Sequence, residues 1–408
     1  GSWERTAVTG KVHREPAAYA SLGRAVSLLV SAPDGIEPHR LIGLVAQGVE
    51  ILGGASPSVW LADVAKRSLV RIDPARQESV PIDGSVAGRC FITSEVVEVE
   101  GDDGRRIWVP LLTGVDRVGV LEVADAEGAL DIAALERFAS VVASELVTSN
   151  QYTDHFTRAR RQRPMTLAAE LQWASLPPAS FGTDTVRVAG MVEPAYEVGG
   201  DAFDYACSDE LLSVGIFDAV GHNLESSIIS SLALGAYRHG RRHERSLLES
   251  AAGIDAVIRD QLGEGRFVTG QIGELDIASG RFRWLNAGHP LPLLIRQGRV
   301  VGPLHCAARP PFGFDHFARG RETEVAEEQL EPGDAILLYS DGVIERRSAS
   351  GPDFGMERLG DLLQNAFAAQ VSPPETLRRL ANAVLDFHGG RLDDDASTLL
   401  VVWDGASS

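Results

Sequence analysis

Four apolar segments in the second half of this chain meet an aspartate at one end. They are VGGDAFD with Asp201, VGIFDAVGH with Asp218, AILLYSDGVIE with Asp341, and DDDASTLLVV with Asp394. A strand that is apolar along its length and acidic at its end places the acid at the rim of a sheet. Glycine beside Asp201 and Asp341 lets backbone approach closely there. Several such rims sharing one space make an acidic pocket, and like charges at close range are costly unless cations neutralise them. Carboxylates are hard oxygen ligands, so the expectation is a site for Mg²⁺ or Mn²⁺.

A chain of 408 residues exceeds one ordinary core, which predicts two domains. The net charge of −19 disfavours nucleic acid and anionic membrane surfaces as partners. No apolar run is long enough to span a bilayer, and no signal segment opens the chain, so a cytoplasmic protein is expected. Gly1 and Ser2 read as a remnant of proteolytic cleavage. Cys90, Cys207 and Cys306 lie far apart, a spacing that fits reduced thiols better than disulfides or a zinc site. Cys90 is expected to be a small buried side chain rather than a redox sensor. Lysine occurs only at Lys11 and Lys66, an arginine bias that fits a GC-rich bacterial genome.

The pattern predicts helices over 18–31 and over HRLIGLVAQGVEIL, then strands in SVWLADV, SLVRID, VPIDGSVAGRCF and EVVEVE. IWVPLL and RVGVLEVAD read as a hairpin, and a helix over 132–146 closes an α+β unit. GSVAGRCFITSEVVEV, WVPLL and VGVLEV resemble a GAF domain over residues 18–150. That resemblance implies a sensor able to take a small-molecule ligand, or a module that only packs and dimerises. No cysteine or histidine occupies a position assignable to a bilin or a haem. A long helical stretch over 136–174, broken or kinked at Pro164 and followed by a fresh helix in TLAAELQWASLPP that stops at Pro177 and Pro178, is expected to connect the halves, with residues 151–178 as a helical linker. The run Arg158, Arg160, Arg161 and Arg163 reads as a solvated helix face or as a docking patch.

Beyond Val186, strands are expected in RVAGMVEPA, LLSVGIFD, FVTGQIGELD, RFRWLNAG, PLPLLIR, DAILLYSD and STLLVVW. Helices inserted in blocks between them point to two sheets covered by helices. AYEVGGDAFDY, FDAVGHN, FVTG, LNAGHPLPLL, LLYSDGVIE, FGMERL and DDDASTLLVV, in this order, resemble the SpoIIE/RsbU branch of PP2C (PPM) phosphatases. The implied fold class is α+β: a GAF-like sensor, a helical connector and an α-β-β-α sandwich over residues 179–404.

The resemblance implies a Ser/Thr phosphoprotein phosphatase with two Mn²⁺ or Mg²⁺ ions. Asp218 would bridge the ions, with the Ala219 carbonyl completing one and Asp341 and Asp394 holding the other. Asp201 would ligate directly or through water, and Gly199 and Gly200 would allow the tight turn behind it. Two ions about 3.5–4 Å apart supply an activated water and neutralise the transferring phosphoryl group, so no protein nucleophile is required. Asp204 is expected as an acceptor just outside the ligands or as a turn former. Which of Asp393, Asp394 and Asp395 ligates turns on a one-residue alignment. His222 is expected to cap a helix rather than act as an acid, His289 to hold a turn, and Glu345 to support the SDG turn. Relative to the family, DVSGHG reads DAVGHN, GGDFYD reads GGDAFD and DDxT reads DDAS, which keeps a hydroxyl at Ser397.

The implied substrate is a phosphorylated STAS-type anti-sigma-factor antagonist, so that hydrolysis changes sigma-factor availability. The sensor would gate the enzyme through the connector, whose LAAELQWASL segment matches the helix preceding such catalytic cores, in a homodimer. The alternative is a catalytically weak, phosphatase-like scaffold that binds a signalling partner. A nuclease is disfavoured by the acidic charge.

Overall fold

The computed structural model describes residues 14–31, 37–72, 78–101, 104–125, 128, 130–221, 223–263, 265–307, 309–314, 323–345, 353–392 and 394–406. The chain divides into two compact units, Gly1–Gln162 and Arg163–Ser408.

Unit 1 begins with α1 (Arg14–Val30) and α2 (Pro38–Ile51), followed by β1 (Ala55–Ala62), β2 (Ser68–Arg71) and β3 (Ser79–Pro81). Helix α3 (Val86–Thr93), β4 (Val97–Gly101), β5 (Gly104–Thr113), β6 (Asp116–Asp125), α4 (Ile132–Ser149) and α5 (His155–Arg160) complete it. The strands form one antiparallel sheet in the order β3-β2-β1-β6-β5-β4. Alternation sends Val59, Leu61, Leu121 and Val123 into a core with Leu41, Val45, Phe138 and Val142 of the helices. Trp60, Ala62 and Val120 face the other way, against Ala87, Cys90 and Phe91 of α3. The VAGRCF segment is therefore a helix, not the strand its apolar content predicts. Ser85 starts it by accepting a hydrogen bond from the Gly88 N–H at 2.9 Å. Cys90 is buried, its thiol pushed up to about 12 by desolvation, which leaves it without the thiolate a redox sensor needs.

The helical stretch expected over 136–174 breaks at Pro164, as that residue predicts, and also breaks after α4. Helix α4 ends at Ser149, α5 covers six residues, and the Thr166 side chain caps a separate α6 (Leu167–Ser175) by accepting from the Ala169 N–H. The stretch 151–178, expected as a linker, is thus shared out. Phe156 of α5 lies in the core of unit 1 and Arg160 Nε donates to the Ala62 carbonyl, whereas Ala169 of α6 lies in a core of unit 2.

Unit 2 continues with β7 (Ser180–Gly182), β8 (Val186–Glu193), β9 (Asp201–Cys207), β10 (Leu211–Ala219), α7 (Leu224–Arg242) and α8 (Leu247–Leu262). Then come β11 (Val268–Asp276), β12 (Arg281–Ala287), β13 (Leu293–Arg296), β14 (Arg299–Pro303), β15 (Ala326–Gln329) and β16 (Asp334–Tyr339). A 3₁₀ turn (Asp341–Val343), α9 (Gly355–Ala368), α10 (Pro373–Phe387) and β17 (Ala396–Trp403) close the unit. Two antiparallel sheets result, β15-β12-β11-β10-β9 and β14-β13-β16-β17-β8-β7. Val214, Ile216 and Phe203 of the first meet Val188, Ile336 and Val401 of the second in a shared core. The outer face of the first packs on α7 and α8 through Phe217, Leu234 and Ile254; that of the second packs on α9 and α10 through Leu337, Leu359 and Leu380. This is the α-β-β-α sandwich predicted from the strand and helix pattern.

Candidate metal centre

Alternation along β9 and β10 decides where the first two aspartates point. Phe203, Val214 and Ile216 face the opposing sheet, so Asp201 and Asp218, at even spacing from them, face it too. Asp201 and Asp218 are direct partners in the β9–β10 ladder, which places their Cβ atoms about 4.5–5.5 Å apart. The other sheet brings its strand ends to the same region. Ser340, after β16, donates its hydroxyl to Asp201 Oδ2 at 2.6 Å and accepts from the Ser397 N–H at 2.9 Å. Asp341 follows Ser340, with Oδ1 buried and without a hydrogen-bond partner. The turn it opens lies against the start of β17, where a Cβ on Gly342 would stand 2.0 Å from the Asp395 carbonyl oxygen.

Asp395 ties the two sheets together. Its Oδ2 accepts from the N–H groups of Gly199 and Gly200 at 2.8 and 2.7 Å. Gly200 in turn is pressed against the loop after β10: a Cβ there would meet the Gly221 carbonyl at 2.5 Å and the Ala219 carbonyl at 2.8 Å. Ala219 is itself buried at the end of β10, with its N–H donating to the Gly200 carbonyl at 3.2 Å. Asp394 is half-buried beside Asp395, and Asp393 lies outside the described residues, as does His222.

Burial, then the charges of Asp218 and Asp395, raise the Asp201 carboxyl well above its usual range, against the Ser340 hydroxyl bond that lowers it. Burial likewise pushes Asp395 up to about 6, with the two glycine N–H bonds opposing and Asp394 adding to the rise. Among the described residues no three His, Cys, Asp or Glu side chains are already drawn together closely enough to hold one ion. The residues present nonetheless fit a hard cation. The donors are carboxylates and a carbonyl, one carboxylate oxygen of Asp341 is buried and unsatisfied, and the ionised form of Asp201 needs a compensating charge.

One sequence expectation changes, and another is carried by the backbone. Asp204, expected next to the metal ligands or in a turn, lies on the opposite face of β9. There Oδ1 accepts from Arg238 at 2.7 Å and Oδ2 pairs with Arg241 at 3.1 Å. Its position three residues from Asp201 puts it on the α7 side, so it anchors a helix. Glu345 closes the SDG turn with its backbone N–H, which donates to the Asp341 carbonyl at 2.8 Å, while its side chain is exposed. The missing glycine of DAVGHN is explained: Asn223 caps α7 by accepting from the Ser226 N–H at 3.1 Å.

Residues 208–404 match the family model described as stage II sporulation protein E (SpoIIE). Over these residues the chain is similar to SpoIIE-type PP2C phosphatase domains. Homologues of this domain include two phosphoserine phosphatases of Bacillus subtilis (strain 168). RsbP is 25% identical over 189 residues, 45% of this chain and 46% of RsbP. RsbU is 21% identical over 251 residues, 58% of this chain and 68% of RsbU. The chain thus spans about half the length of RsbP. Among solved structures, the SiaA-PP2C domain of Pseudomonas aeruginosa is similar at 22% identity and a TM-score of 0.49, over 58% of this chain and 94% of that one. No helix among the described residues is long and apolar enough to cross a membrane.

Outside the SpoIIE-type domain, unit 1 holds a cleft of about 200 Å³ lined by Ile42, Val45, Pro57, Val59, Arg71 and Ile72.

Proposed function

We propose that this chain is a metal-dependent protein serine/threonine phosphatase. The observation that supports it most directly is the Asp201–Asp218 ladder pair, Asp201 buried and Asp218 half-buried, met by Asp341 and Asp395 from the opposing sheet, in a unit whose residues 208–404 match the SpoIIE family model. PP2C-type phosphatases are metal-dependent. In this reading Asp218, the Ala219 carbonyl, Asp341 and Asp394 hold two Mn²⁺ or Mg²⁺ ions, with Asp201 ligating directly or through water. Bound there, the ions lower the pKa of water and offset the charge of the transferring phosphoryl group. The chain itself supplies position. Asp395 fixes the Gly199–Gly200 turn, Ser340 orients Asp201, and the Gly342 turn sets Asp341 against β17.

The substrate in this reading is a phosphorylated STAS-type antagonist of an anti-sigma factor, by extension from the Rsb phosphatases. Unit 1 acts as a GAF-like sensor, with its cleft between α2 and β1–β2 open to a small ligand, and two copies assemble as a homodimer in the cytoplasm. Hydrolysis of p-nitrophenyl phosphate and of phosphorylated STAS proteins in Mn²⁺ tests the chemistry. Asp218→Asn and Asp341→Asn are each expected to lower kcat by about 10²-fold or more. Variants as active as wild type would remove the two-ion reading and leave the scaffold alternative.

A further inference from the structure

The row of polar residues on the inner face of the first sheet does not stop at Asp218. Thr269 is the direct ladder partner of Asp218 on β11, as Asp201 is on β9. Opposed residues of an antiparallel pair share a face, so Asp201, Asp218 and Thr269 stand side by side on three adjacent strands, about 4.8 Å apart. Thr269 Oγ1 lies 2.9 Å from His289 Nδ1. The imidazole is held firmly: Asn286 Oδ1 accepts from the His289 N–H, and Asn286 Nδ2 donates to the His289 carbonyl, both at 2.8 Å. Gln271, two residues along the same face as Thr269, donates to the Pro290 carbonyl at 2.5 Å and fixes the following residue.

His289 is 6% exposed, and desolvation lowers its pKa to about 3, so it is neutral at working pH. A neutral imidazole donates from one nitrogen and accepts at the other. Nε2 is buried without a hydrogen-bond partner, while the Tyr339 backbone acts on the ring as an acceptor and Nδ1 already faces Thr269. With the proton on Nε2, Nδ1 accepts, and the Thr269 hydroxyl must donate to it. The free lone pairs of Thr269 Oγ1 are then acceptors beside Asp218.

We propose that Thr269 orients the attacking water of the hydrolysis by accepting a hydrogen bond from it, and that His289 is the positioning residue that turns the Thr269 proton away. This rests on the phosphatase reading. The hydrolysis joins the water oxygen to phosphorus and breaks the bond from phosphorus to the seryl or threonyl oxygen. One water proton passes to that oxygen, giving the alcohol and inorganic phosphate. Thr269 exchanges no proton in this step; it fixes the direction of the water's lone pair toward phosphorus.

The test uses the full chain with Mn²⁺ and p-nitrophenyl phosphate. Thr269→Val, which keeps the shape and removes the acceptor, is expected to lower kcat roughly 10²-fold, the scale of lost alignment at a reacting atom. KM and Mn²⁺ affinity by calorimetry should stay as in wild type, and Thr269→Ser should recover most of kcat. Long-range ¹H–¹⁵N correlation on histidine-labelled wild type, assigned with His289→Asn, should show the Nε2–H tautomer. A wild-type kcat in Thr269→Val, or a loss carried by KM or by metal affinity, would overturn the proposal, as would the Nδ1–H tautomer. A wild type with no phosphomonoesterase activity overturns the phosphatase reading as well, whereas activity that survives Thr269→Val overturns the present proposal alone.

Discussion

Single side chains in this protein are decided by which face of a strand they occupy. Asp201 and Asp204 are both buried acids of one strand, yet one faces the opposing sheet and the other the arginines of α7. Removing Asp204 leaves Arg238 and Arg241 without their carboxylate. Asp204→Ala is expected to cost about 3 kcal/mol in urea denaturation, the lower end for breaking a buried pair since both arginines reach solvent in part. Mn²⁺ affinity of the folded variant should be unchanged; weak metal binding with wild-type stability would restore the role beside the ligands. His289 sets a pH dependence of definite sign. It is neutral when folded, with its pKa lowered by burial to about 3, whereas the unfolded chain protonates near the ordinary histidine value of about 6.5. The unfolded state therefore binds more protons as pH falls below that value, and stability is lost on acidification. Wild type should lose about 1 kcal/mol more than His289→Gln between pH 7 and pH 5.5, read from paired denaturation curves.

Helix starts are where the local sequence departs from its relatives without structural penalty. In place of the family glycine, Asn223 supplies a side-chain acceptor to the Ser226 N–H, and the Ser226 hydroxyl returns to the Val220 carbonyl at 2.9 Å. The loop after Asp218 is thus pinned to α7 by its own cap. Asn223→Ala should destabilise unit 2 by about 1 kcal/mol, and Asn223→Gly, the family residue, by a few tenths. Equal losses in the two variants would show that the cap oxygen contributes nothing. The same logic explains α3, whose apolar VAGRCF run reads as a strand until Ser85 is recognised as an N-cap.

The two units bury separate cores, centred on Phe138 in the first and on Ile216 and Leu337 in the second. Thermal unfolding of the full chain should therefore show two transitions, of which Mn²⁺ raises only the one belonging to unit 2. At 100 times Kd the added stability is about 2.7 kcal/mol. Asp341→Asn should abolish that shift, because the unsatisfied Oδ1 is the feature that invites the cation. A shift of both transitions, or of neither, would place the ion elsewhere.

Much of the second unit could be read before any fold was known. Strands such as DAILLYSD and STLLVVW are apolar over their whole length because both of their faces are covered, by helices on one side and the other sheet on the other. Their acidic ends could be read for the same reason: a carboxylate has no place inside such a strand. Strand β9 escaped the pattern, since DAFDYAC carries two acids that only the folded sheet accommodates, one by Ser340 and one by Arg238 and Arg241. Pro164 marked one break in the connecting helix, but the break after α4 escaped the pattern, because the residues that end and restart a helix there are single positions inside an otherwise helical run. The sequence alone determined which residues are acidic, which strands are buried and in what order the motifs occur, since composition and periodicity are local. Only the tertiary structure decided the rest: that Asp201, Asp218 and Thr269 share one row, that Asp395 clamps the Gly199–Gly200 turn, and that Asp204 faces away. Those relations depend on ladder register between strands far apart in the chain, and a shift of one residue would send each side chain to the other face.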